Sequence, residues 1–374
     1  MKLKILQDNL KEGVSITSRI ATKSVSLPIL KNIHIKTEDS FLCLSSTDLE
    51  VAVKWWSLTK TEKEGETTVP LDLFSSFINL LPKEEKVNIS SEDNNISVEC
   101  KDYKTKIKGL DPEDFPIIPT VEEEESITIK TDNFLEGLKQ VVDIPSNTKV
   151  KPEISGVYFY FSGKTLKLVA TDSYRLAEKI IFLDKKVSSE FSFILPQKAA
   201  KELLNIFINE DEIDIKFDSN QVLFESTMKE TDHPKVQLTS KLIEGEYPNY
   251  QAIIPEESNT QILLDKEEFL NKIKAASLFS GKVNEVTLSI KEKEDEVKIL
   301  SEDNDLGNYE TAIKGKTDGE DVDISFNHRF LKDGLSEIKS SEIVLSVNDE
   351  SSPGKITPVG NDDFLYVVMP IKNN

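Results

Sequence analysis

Alternation of apolar and polar residues fills most of this chain of 374 residues. A period of two over four to eight residues predicts half-buried β-strands, and short polar clusters between such runs predict hairpin turns. The clearest alternating runs are residues 87–90, 96–100, 213–217 and 222–225. Because these runs follow one another through polar turns, the pattern predicts antiparallel sheets.

Six shorter stretches have apolar residues every three or four positions, which predicts helices. The first stretch has this spacing at Leu10 and Val14. Three of the six begin at Pro70, Pro196 or Asn327, and a proline in the first turn of a helix removes an N–H group that has no partner there anyway. Helices are predicted over residues 9–20, 70–81, 133–142, 196–204, 267–278 and 327–335.

The helices form three pairs that recur at the length of a domain. Leu10, Phe134 and Phe269 hold the same place in three of them, 124 and then 135 positions apart. Repeats of solenoids and propellers are much shorter, about 20 to 50 residues. Each repeat combines antiparallel strands with two helices, so the predicted class is α+β with three similar domains. The predicted domains cover residues 1–124, 125–251 and 252–374.

Composition narrows the partners and the compartment. A net charge of −21 argues against nucleic acid unless basic residues gather on one face, because phosphate binding needs a basic surface. Cys43 and Cys100 lie in strand-like runs and are expected to be buried thiols in a reducing compartment. No apolar run approaches the roughly 18 to 20 residues of a membrane span, and no signal peptide is evident. We expect a soluble, cytoplasmic protein.

The chain has no pattern typical of a catalytic or metal site. It has three histidines in no metal-binding spacing, and it contains no nucleophile elbow, phosphate loop or dinucleotide fingerprint. Asp48 and Asp172 each follow a threonine at matched repeat positions. An aspartate that bonds the backbone of a turn explains them better than an active-site pair. We expect no enzyme activity, no cofactor and no metal.

Several motifs occur in order along nearly the whole chain, and together they resemble one family. They are residues 27–30, 47–50, 67–70, 114–116, 169–177, 239–250 and 366–371. In this order and spacing they are similar to the bacterial β sliding clamps, the processivity subunits of DNA polymerase III. The resemblance implies the DNA clamp fold and a head-to-tail homodimer that closes into a ring of six domains.

The resemblance also implies partners. The ring would encircle duplex DNA without reading its sequence. The polymerase III alpha subunit, the clamp loader, other polymerases and repair proteins would insert short hydrophobic motifs into a cleft between the second and third domains. The expected function is therefore to tether these proteins to DNA and confer processivity.

Three sets of site residues follow from the resemblance. The partner-peptide site would use Ile154, Thr171, Ser173, Tyr174, Arg175, Leu176, Pro248, Ala252, Ile253, Pro353, Val367, Val368, Met369, Pro370 and Ile371. The DNA channel would use Arg19, Lys23, Lys149, Lys151, Lys198, Lys201, Lys274 and Arg329. The dimer interface would place Ile107 against Leu278 and Phe279 of the second copy.

The sequence departs from the family pattern at three points. Ser173 and Tyr174 stand where many relatives have Gly-His, and Ala252 stands where many have a basic residue, so we expect an altered motif preference. The third repeat has no clear Thr-Asp turn near Asp303. Two other functions stay open on the sequence: an acidic peptide-binding scaffold that does not bind DNA, and a hydrolase with a carboxylate pair.

Overall fold

The computed structural model of the protein describes residues 1–20, 27–121, 125–145 and 150–372. These residues form six α-helices and 25 β-strands. The helices are α1 (Gln7–Thr17), α2 (Leu71–Leu80), α3 (Thr131–Lys139), α4 (Gln197–Ile206), α5 (Lys266–Ala276) and α6 (His328–Glu337).

The strands are β1 (Lys2–Leu6), β2 (Asn32–Glu38), β3 (Phe41–Thr47), β4 (Val51–Leu58), β5 (Lys60–Lys63), β6 (Gly65–Pro70), β7 (Lys86–Glu92), β8 (Asn95–Cys100), β9 (Tyr103–Lys108), β10 (Glu125–Lys130), β11 (Gly156–Ser162), β12 (Thr165–Thr171), β13 (Arg175–Phe182), β14 (Phe191–Pro196), β15 (Glu212–Phe217), β16 (Gln221–Thr227), β17 (Pro234–Lys241), β18 (Thr260–Asp265), β19 (Glu285–Lys291), β20 (Glu296–Asp303), β21 (Gly307–Gly319), β22 (Val322–Asn327), β23 (Glu342–Val347), β24 (Gly354–Pro358) and β25 (Phe364–Val368).

All six predicted helices are confirmed, with ends shifted by a few residues. Side-chain caps fix two of the starts: the Asp265 carboxylate accepts from the Glu268 N–H at 2.7 Å, and the Asn327 amide oxygen accepts from the Arg329 N–H at 2.9 Å. Such caps supply acceptors to N–H groups that have no partner inside the helix. Gly13 lets α1 lie directly on β4, since a Cβ there would come within 2.3 Å of the Trp55 ring.

The described chain forms two compact units: unit 1, residues 1–135 with 198–242, and unit 2, residues 136–197 with 243–374. Unit 1 contains a five-stranded sheet in the order β5-β1-β7-β8-β9 and an eight-stranded sheet in the order β10-β15-β16-β17-β4-β3-β2-β6. Its core includes the fully buried side chains of Trp55, Phe74, Phe134 and Phe224.

Unit 2 contains one twelve-stranded sheet in the order β14-β11-β12-β13-β25-β24-β23-β18-β21-β20-β19-β22. The helices α5 and α6 belong to this unit. Phe159, Phe269, Phe326 and Tyr366 are among its largest fully buried side chains.

Both large sheets run across the predicted domain limits. In unit 1, β4 of the first repeat pairs with β17 of the second, with Val51 opposite Ser240. In unit 2, β13 of the second repeat pairs with β25 of the third, with Arg175 opposite Val368. Each compact unit therefore combines parts of two repeats, and the limits at 124/125 and 251/252 stay a prediction.

Two smaller expectations also meet the structure. Cys43 and Cys100 are free thiols and both are buried, as predicted. None of the helices in the described ranges has the length and apolar character needed to cross a membrane.

Candidate functional site

The turn between β12 and β13 is built around two side chains. The Asp172 carboxylate accepts from the backbone N–H groups of Tyr174 at 2.9 Å and Arg175 at 3.0 Å. The Thr171 hydroxyl donates to the Arg175 carbonyl at 2.8 Å. Ser173 has a positive φ of 77°. These bonds hold the turn and present Tyr174 outward, with 62% of its surface exposed.

The same turn occurs in the first repeat, which confirms the structural interpretation of the Thr-Asp pairs. Asp48 accepts from the N–H groups of Glu50 at 3.0 Å and Val51 at 2.7 Å. The Thr47 hydroxyl donates to the Val51 carbonyl, and Leu49 has a φ of 78°. A short polar side chain that satisfies nearby N–H groups is the usual reason for Asp in such turns.

The third repeat has a turn of the same kind at Asp303. Its carboxylate accepts from the N–H groups of Asp305 at 2.9 Å and Leu306 at 3.0 Å. Glu302 stands in the place of the threonine. This arrangement aligns Asp303 with Asp48 and Asp172, an alignment that the sequence alone left uncertain.

Arg175 joins the second-repeat turn to α6. Its guanidinium bonds Asp172 at 3.0 Å, contacts Asp333 of α6, and lies 4.8 Å from the centre of the Phe330 ring. The Tyr174 ring stacks on the same Phe330 ring, with 6.1 Å between the two ring centres. Two carboxylates and an aromatic face thus satisfy the guanidinium, so Arg175 positions Phe330 and Tyr174 beside each other.

Sequence reasoning did not single out Phe330. The sequence shows only that Phe330 precedes Leu331, whereas the structure leaves Phe330 half-exposed and buries Leu331 fully.

The end of β25 lies directly beside this turn. The Met369 N–H donates to the Tyr174 carbonyl at 2.8 Å, and the Ile371 N–H donates to the Ser325 carbonyl at 2.8 Å. Met369, Pro370 and Ile371 are half-buried. The structure therefore places the predicted Ser173–Arg175 and Met369–Ile371 segments next to each other in unit 2.

Several predicted peptide contacts are too deeply buried to meet a ligand. Val367, Val368 and Leu176 are at most 1% exposed, and Ile154 and Thr171 are at most 6% exposed. Val367 and Leu176 pack with Val169 and Tyr250 in one apolar cluster. We correct their role accordingly: these side chains form the packed floor beneath the predicted site rather than its contact surface.

The segment before the third repeat lies along the same cluster. Tyr247 stacks on Tyr158 at 4.6 Å, and the Tyr250 hydroxyl donates to Glu178 at 2.5 Å. These two anchored tyrosines fix the segment that contains the exposed Pro248, and Ala252 and Ile253 follow, also exposed. Pro353 is half-buried and precedes Gly354, which pairs with Val368.

Comparison with known proteins now decides the family. The models of the DNA polymerase III beta subunit match three consecutive parts of the chain: the N-terminal domain at residues 1–119, the central domain at 128–249 and the C-terminal domain at 251–372. The chain belongs to the DNA polymerase III beta subunit family.

Individual members of the beta subunit family match the chain over its whole length. It is 27% identical over 385 residues to the beta sliding clamp of Bacillus subtilis, covering all of both chains. It is 25% identical over 379 residues to that of Synechococcus elongatus, covering 100% of this chain and 99% of the relative. The crystal structure of the Bacillus subtilis DNA polymerase sliding clamp matches with a TM-score of 0.94 at 27% identity over all of both chains.

The basic residues expected in the DNA channel differ in their surroundings: some contact carboxylates and others are exposed. Arg19 lies 3.7 Å from Glu202, and Lys198 contacts Asp48. Lys151, Lys201, Lys274 and Arg329 are exposed, whereas Lys23 and Lys149 lie outside the described residues. α2 has one charged residue, Asp72. The basic charge on these helices is therefore local and partly neutralised.

The structure corrects one expected dimer contact. Ile107 lies on the edge strand β9, but its side chain is only 3% exposed within one chain. A second copy cannot gain much by covering a side chain that is already buried. Leu278 is 70% exposed, and Phe279 stacks on Tyr309 at 5.6 Å, so these two residues stay candidates.

Proposed function

We propose that this protein is a DNA sliding clamp: a head-to-tail homodimer of six domains that closes into a ring around duplex DNA. It has no catalytic role of its own and tethers the replicative polymerase and other DNA-processing proteins. One observation carries the proposal. The edges of β9 and of the first half of β21 are unpaired in the described chain, although the strands at the same positions of the other repeats pair with each other.

The two observed junctions follow one rule. At each, the strand after the Thr-Asp turn of one repeat pairs with the last strand of the next repeat, as β4 with β17 and β13 with β25. The corresponding N–H groups of Lys241 and Met369 donate to the carbonyls of Glu50 and Tyr174. A third junction of the same kind would join β21, which follows the Asp303 turn, to β9 of another copy.

Both of these edges are open within the described chain. β9 pairs with β8 alone at the end of its sheet. β21 pairs with β18 through residues 315–319, and residues 307–314 pair on one side with β20. Open edges favour pairing with another chain. A pairing of unlike edges closes into a ring when the rotation between copies allows it.

The repeat also predicts the register of the new pairing. The last strand of each repeat is followed by a matching hydrogen bond: the N–H groups of Leu110, Ile243 and Ile371 donate to the carbonyl three positions before the second helix of their repeat. Lys108, Lys241 and Met369 each lie two positions before these donors and therefore correspond. The Asp303 turn is one residue longer than the other two, since Glu302 pairs with Asn308 where Thr47 pairs with Ala52. The Lys108 N–H would then donate to the Leu306 carbonyl of the second copy. Glu310 and Lys104 would lie directly opposite each other, as Glu178 and Leu365 do.

Opposite charges face each other across this junction. β9 has three exposed lysines, Lys104, Lys106 and Lys108, and Glu302 and Glu310 are exposed beside the other edge. Opposite charges favour one orientation over others.

Apolar faces match as well. On α2, Leu73 and Leu80 are 55% and 70% exposed, whereas Ala199 and Ile206 at the same positions of α4 are covered. In unit 1, Arg19 after α1 reaches Glu202 of α4, and Leu278 holds the place of Arg19 after α5. We infer that Leu278 lies on α2 of the second copy, rather than on Ile107.

The DNA-channel residues in this proposal are Arg19, Lys23, Lys149, Lys151, Lys198, Lys201, Lys274 and Arg329. Lysine and arginine attract phosphates without reading bases. Because Glu202 and Asp48 neutralise part of this positive charge, retention of the protein on DNA would depend more on the closed ring than on its affinity for DNA.

The partner site in this proposal is the surface of Tyr174, Phe330, Met369, Pro370 and Ile371 in unit 2, flanked by Pro248, Ala252, Ile253 and Pro353. Aromatic and flexible methionine side chains suit the hydrophobic anchors of short motifs. The proposed partners are the polymerase III alpha subunit, the clamp loader, other polymerases and repair proteins, and the proposed compartment is the cytoplasm.

A disulfide between the two edges tests the proposal. Residues directly opposite each other in an antiparallel pair have Cα atoms about 4.5 to 5.5 Å apart, within the range of a disulfide. In a background without Cys43 and Cys100, the pair Lys104→Cys with Glu310→Cys should form a covalent dimer under mild oxidation.

The matched control is Lys104→Cys with Asp318→Cys, because Asp318 lies in the half of β21 that already pairs with β18. The control should stay uncrosslinked. Equal cross-linking of both pairs, or of neither, would refute the proposed register. A wild-type protein that is monomeric at micromolar concentration would refute the ring.

A further inference from the structure

Unit 1 has an open groove at one edge of its five-stranded sheet, where β5 ends the sheet beside β1. The groove has a volume of about 870 Å³ and is lined by residues of β1, β4, β5, β7 and α1, among others. Two leucines that line it stay accessible: Leu6 is 45% exposed and Leu58 is 48% exposed. An occupant that covers both leucines would remove apolar surface from water, which favours binding.

Three lysines give this groove a positive charge. Lys4, Lys60 and Lys86 line it, and no aspartate or glutamate of the described chain does. Lys60 and Lys86 are exposed and make no ion pair within the described ranges. The lysine groove, defined by these three lysines with Leu6 and Leu58, is therefore cationic in a protein whose net charge is −21.

The carboxylates that neighbour the lining residues along the chain do not neutralise it. Glu62 bonds Lys4 at 3.0 Å and Lys2 at 2.7 Å, so two cations share one carboxylate. Asp39, in the turn before Ser40, is exposed to solvent. Two others have partners elsewhere: Glu85 bonds Lys101 at 2.7 Å, and Asp8 accepts from the Glu84 N–H at 2.9 Å. Lys60 and Lys86 are therefore left for a ligand to meet.

Two of the lysines in the lysine groove lie directly opposite each other, Lys4 on β1 and Lys60 on β5. Like charges at opposite positions of an antiparallel pair destabilise the sheet. Glu62 offsets only part of this repulsion, because Lys2 shares it. A bound anion would replace repulsion with attraction, so this pair favours an anionic ligand.

The other two repeats do not have this combination of side chains. In the first repeat Leu6, the last residue before α1, lies opposite Lys86 of β7. The same positions hold Lys130 opposite Glu212 in the second repeat and Asp265 opposite Glu342 in the third. An acid thus stands at the place of Lys86 in both, so the fold of a repeat does not require a lysine there.

The apolar part of the lysine groove favours a protein segment over nucleic acid. Phosphates would meet the lysines but would offer no apolar group to cover Leu6 and Leu58. A peptide can supply carboxylates and aliphatic side chains together.

We propose that the lysine groove binds a segment of a partner protein in which leucine side chains stand between carboxylates. The leucines of the segment cover Leu6 and Leu58, and its carboxylates meet Lys60 and Lys86. The lysine groove belongs to unit 1 and the proposed partner site to unit 2, so the two sites can be tested separately.

The probe is the peptide acetyl-Asp-Glu-Leu-Leu-Glu-Asp-amide. One control peptide, acetyl-Asn-Gln-Leu-Leu-Gln-Asn-amide, has no charge, and the other, acetyl-Asp-Glu-Ser-Ser-Glu-Asp-amide, has no leucine. Protein with ¹³C-labelled leucine methyl groups supplies the readout, and single replacement by isoleucine assigns each signal. The probe should shift the signals of Leu6 and Leu58 to saturation and leave that of Leu49, 44% exposed in the same unit, unchanged. Both control peptides should bind more weakly.

Variants test the role of the lysines. Lys60→Gln combined with Lys86→Gln should weaken the probe about tenfold, as expected for two exposed ion pairs, and leave the uncharged peptide unchanged. Lys185→Gln combined with Lys186→Gln removes two exposed lysines from unit 2 and should not change the affinity. Met369→Ala should also have no effect here, whatever it does to the proposed partner site.

The proposal is overturned if the Leu6 and Leu58 signals do not move, if the Lys60→Gln, Lys86→Gln protein binds the probe as tightly as wild type, or if either control peptide binds as tightly as the probe. A short DNA duplex that shifts the same two signals at the probe's concentration would identify nucleic acid as the ligand and overturn it too. Circular dichroism shows whether each variant is folded. If the double variant does not fold, the three peptides on the wild-type protein decide.

Discussion

At the scale of single residues, a few polar side chains set the geometry of the proposed partner site. Asp172 fixes the turn, Arg175 fixes α6 to the turn, and the Met369 N–H fixes the chain end to the same turn. None of the three needs to contact a peptide to affect its binding. The aromatic and apolar groups that they position, Tyr174, Phe330 and Met369, form the surface.

The two Asp turns provide a matched pair of variants. Asp172→Ala and Asp48→Ala each leave two backbone N–H groups without their acceptor, which costs roughly 1 to 2 kcal/mol, so both should lower the melting temperature. Only Asp172→Ala should also weaken partner-peptide binding, since only that turn presents Tyr174. Calorimetric titration of a Gln-containing, Leu/Phe-ended polymerase peptide measures this difference. Equal peptide affinity in the two variants would show that the turn does not serve the site.

Met369 provides the direct test of the contact surface. Met369→Ala should weaken binding of the same peptide by about 1 to 3 kcal/mol, because the side chain would line the anchor position. Val359→Ala truncates another apolar side chain of unit 2 that is 40% exposed and should not change the affinity. If both variants bind like wild type while remaining dimeric, the partner site lies elsewhere.

At the scale of elements, equivalent helices differ in which faces stay exposed. The face of α4 that includes Ala199 and Ile206 is buried within unit 1, and the same face of α2, with Leu73 and Leu80, is exposed. Leu278 after α5 is exposed as well. Exposed apolar side chains at positions that other repeats cover indicate an interface with another copy.

Charged substitutions on these faces test the interface. Burying one leucine stabilises an interface by about 1.5 to 3 kcal/mol, and a buried unpaired carboxylate costs more. Leu278→Asp and Leu80→Asp should each shift the protein towards monomer in light scattering. Ile208→Asp changes another exposed side chain of unit 1, 64% exposed, and should leave the dimer intact. A Leu278→Asp protein that stays dimeric would exclude the proposed packing on α2.

At the scale of the whole molecule, charge separates the proposed function from the alternatives. A net charge of −21 repels DNA from most of the surface, so a closed ring is needed to hold it. A scaffold that does not bind DNA would share the charge and the peptide site but would not stay on DNA. Among the described residues no group of His, Cys, Asp and Glu is placed to hold a metal ion.

Retention on DNA distinguishes these functions. After loading by a clamp loader, the protein should stay on circular DNA and leave once the DNA is linearised, whereas binding to short linear duplex should be weak, salt-sensitive and independent of sequence. Gel filtration of labelled protein with the DNA before and after cutting measures this. Retention that survives linearisation with open ends, or a sequence-dependent footprint without a loader, would contradict topological holding.

The sequence by itself determined the elements and the repeat. Periodicity depends on local spacing, so the six helices and the alternating strands could be located from Leu10, Phe134 and Phe269 and from the turn residues. The ordered motifs were enough to indicate the family. The structural role of Asp48 and Asp172 could also be predicted, because an Asx turn is made by residues two and three positions apart.

The tertiary structure alone decided what lies between distant segments. Val367 and Ile371 read alike in the sequence, yet one is buried and the other half-exposed, because burial depends on what packs above a strand. The Arg175–Phe330 contact, the covered side chain of Ile107 and the open groove at Lys86 each join residues far apart in the chain. No local pattern encodes such contacts, since they arise only when sheets and helices from different repeats pack together.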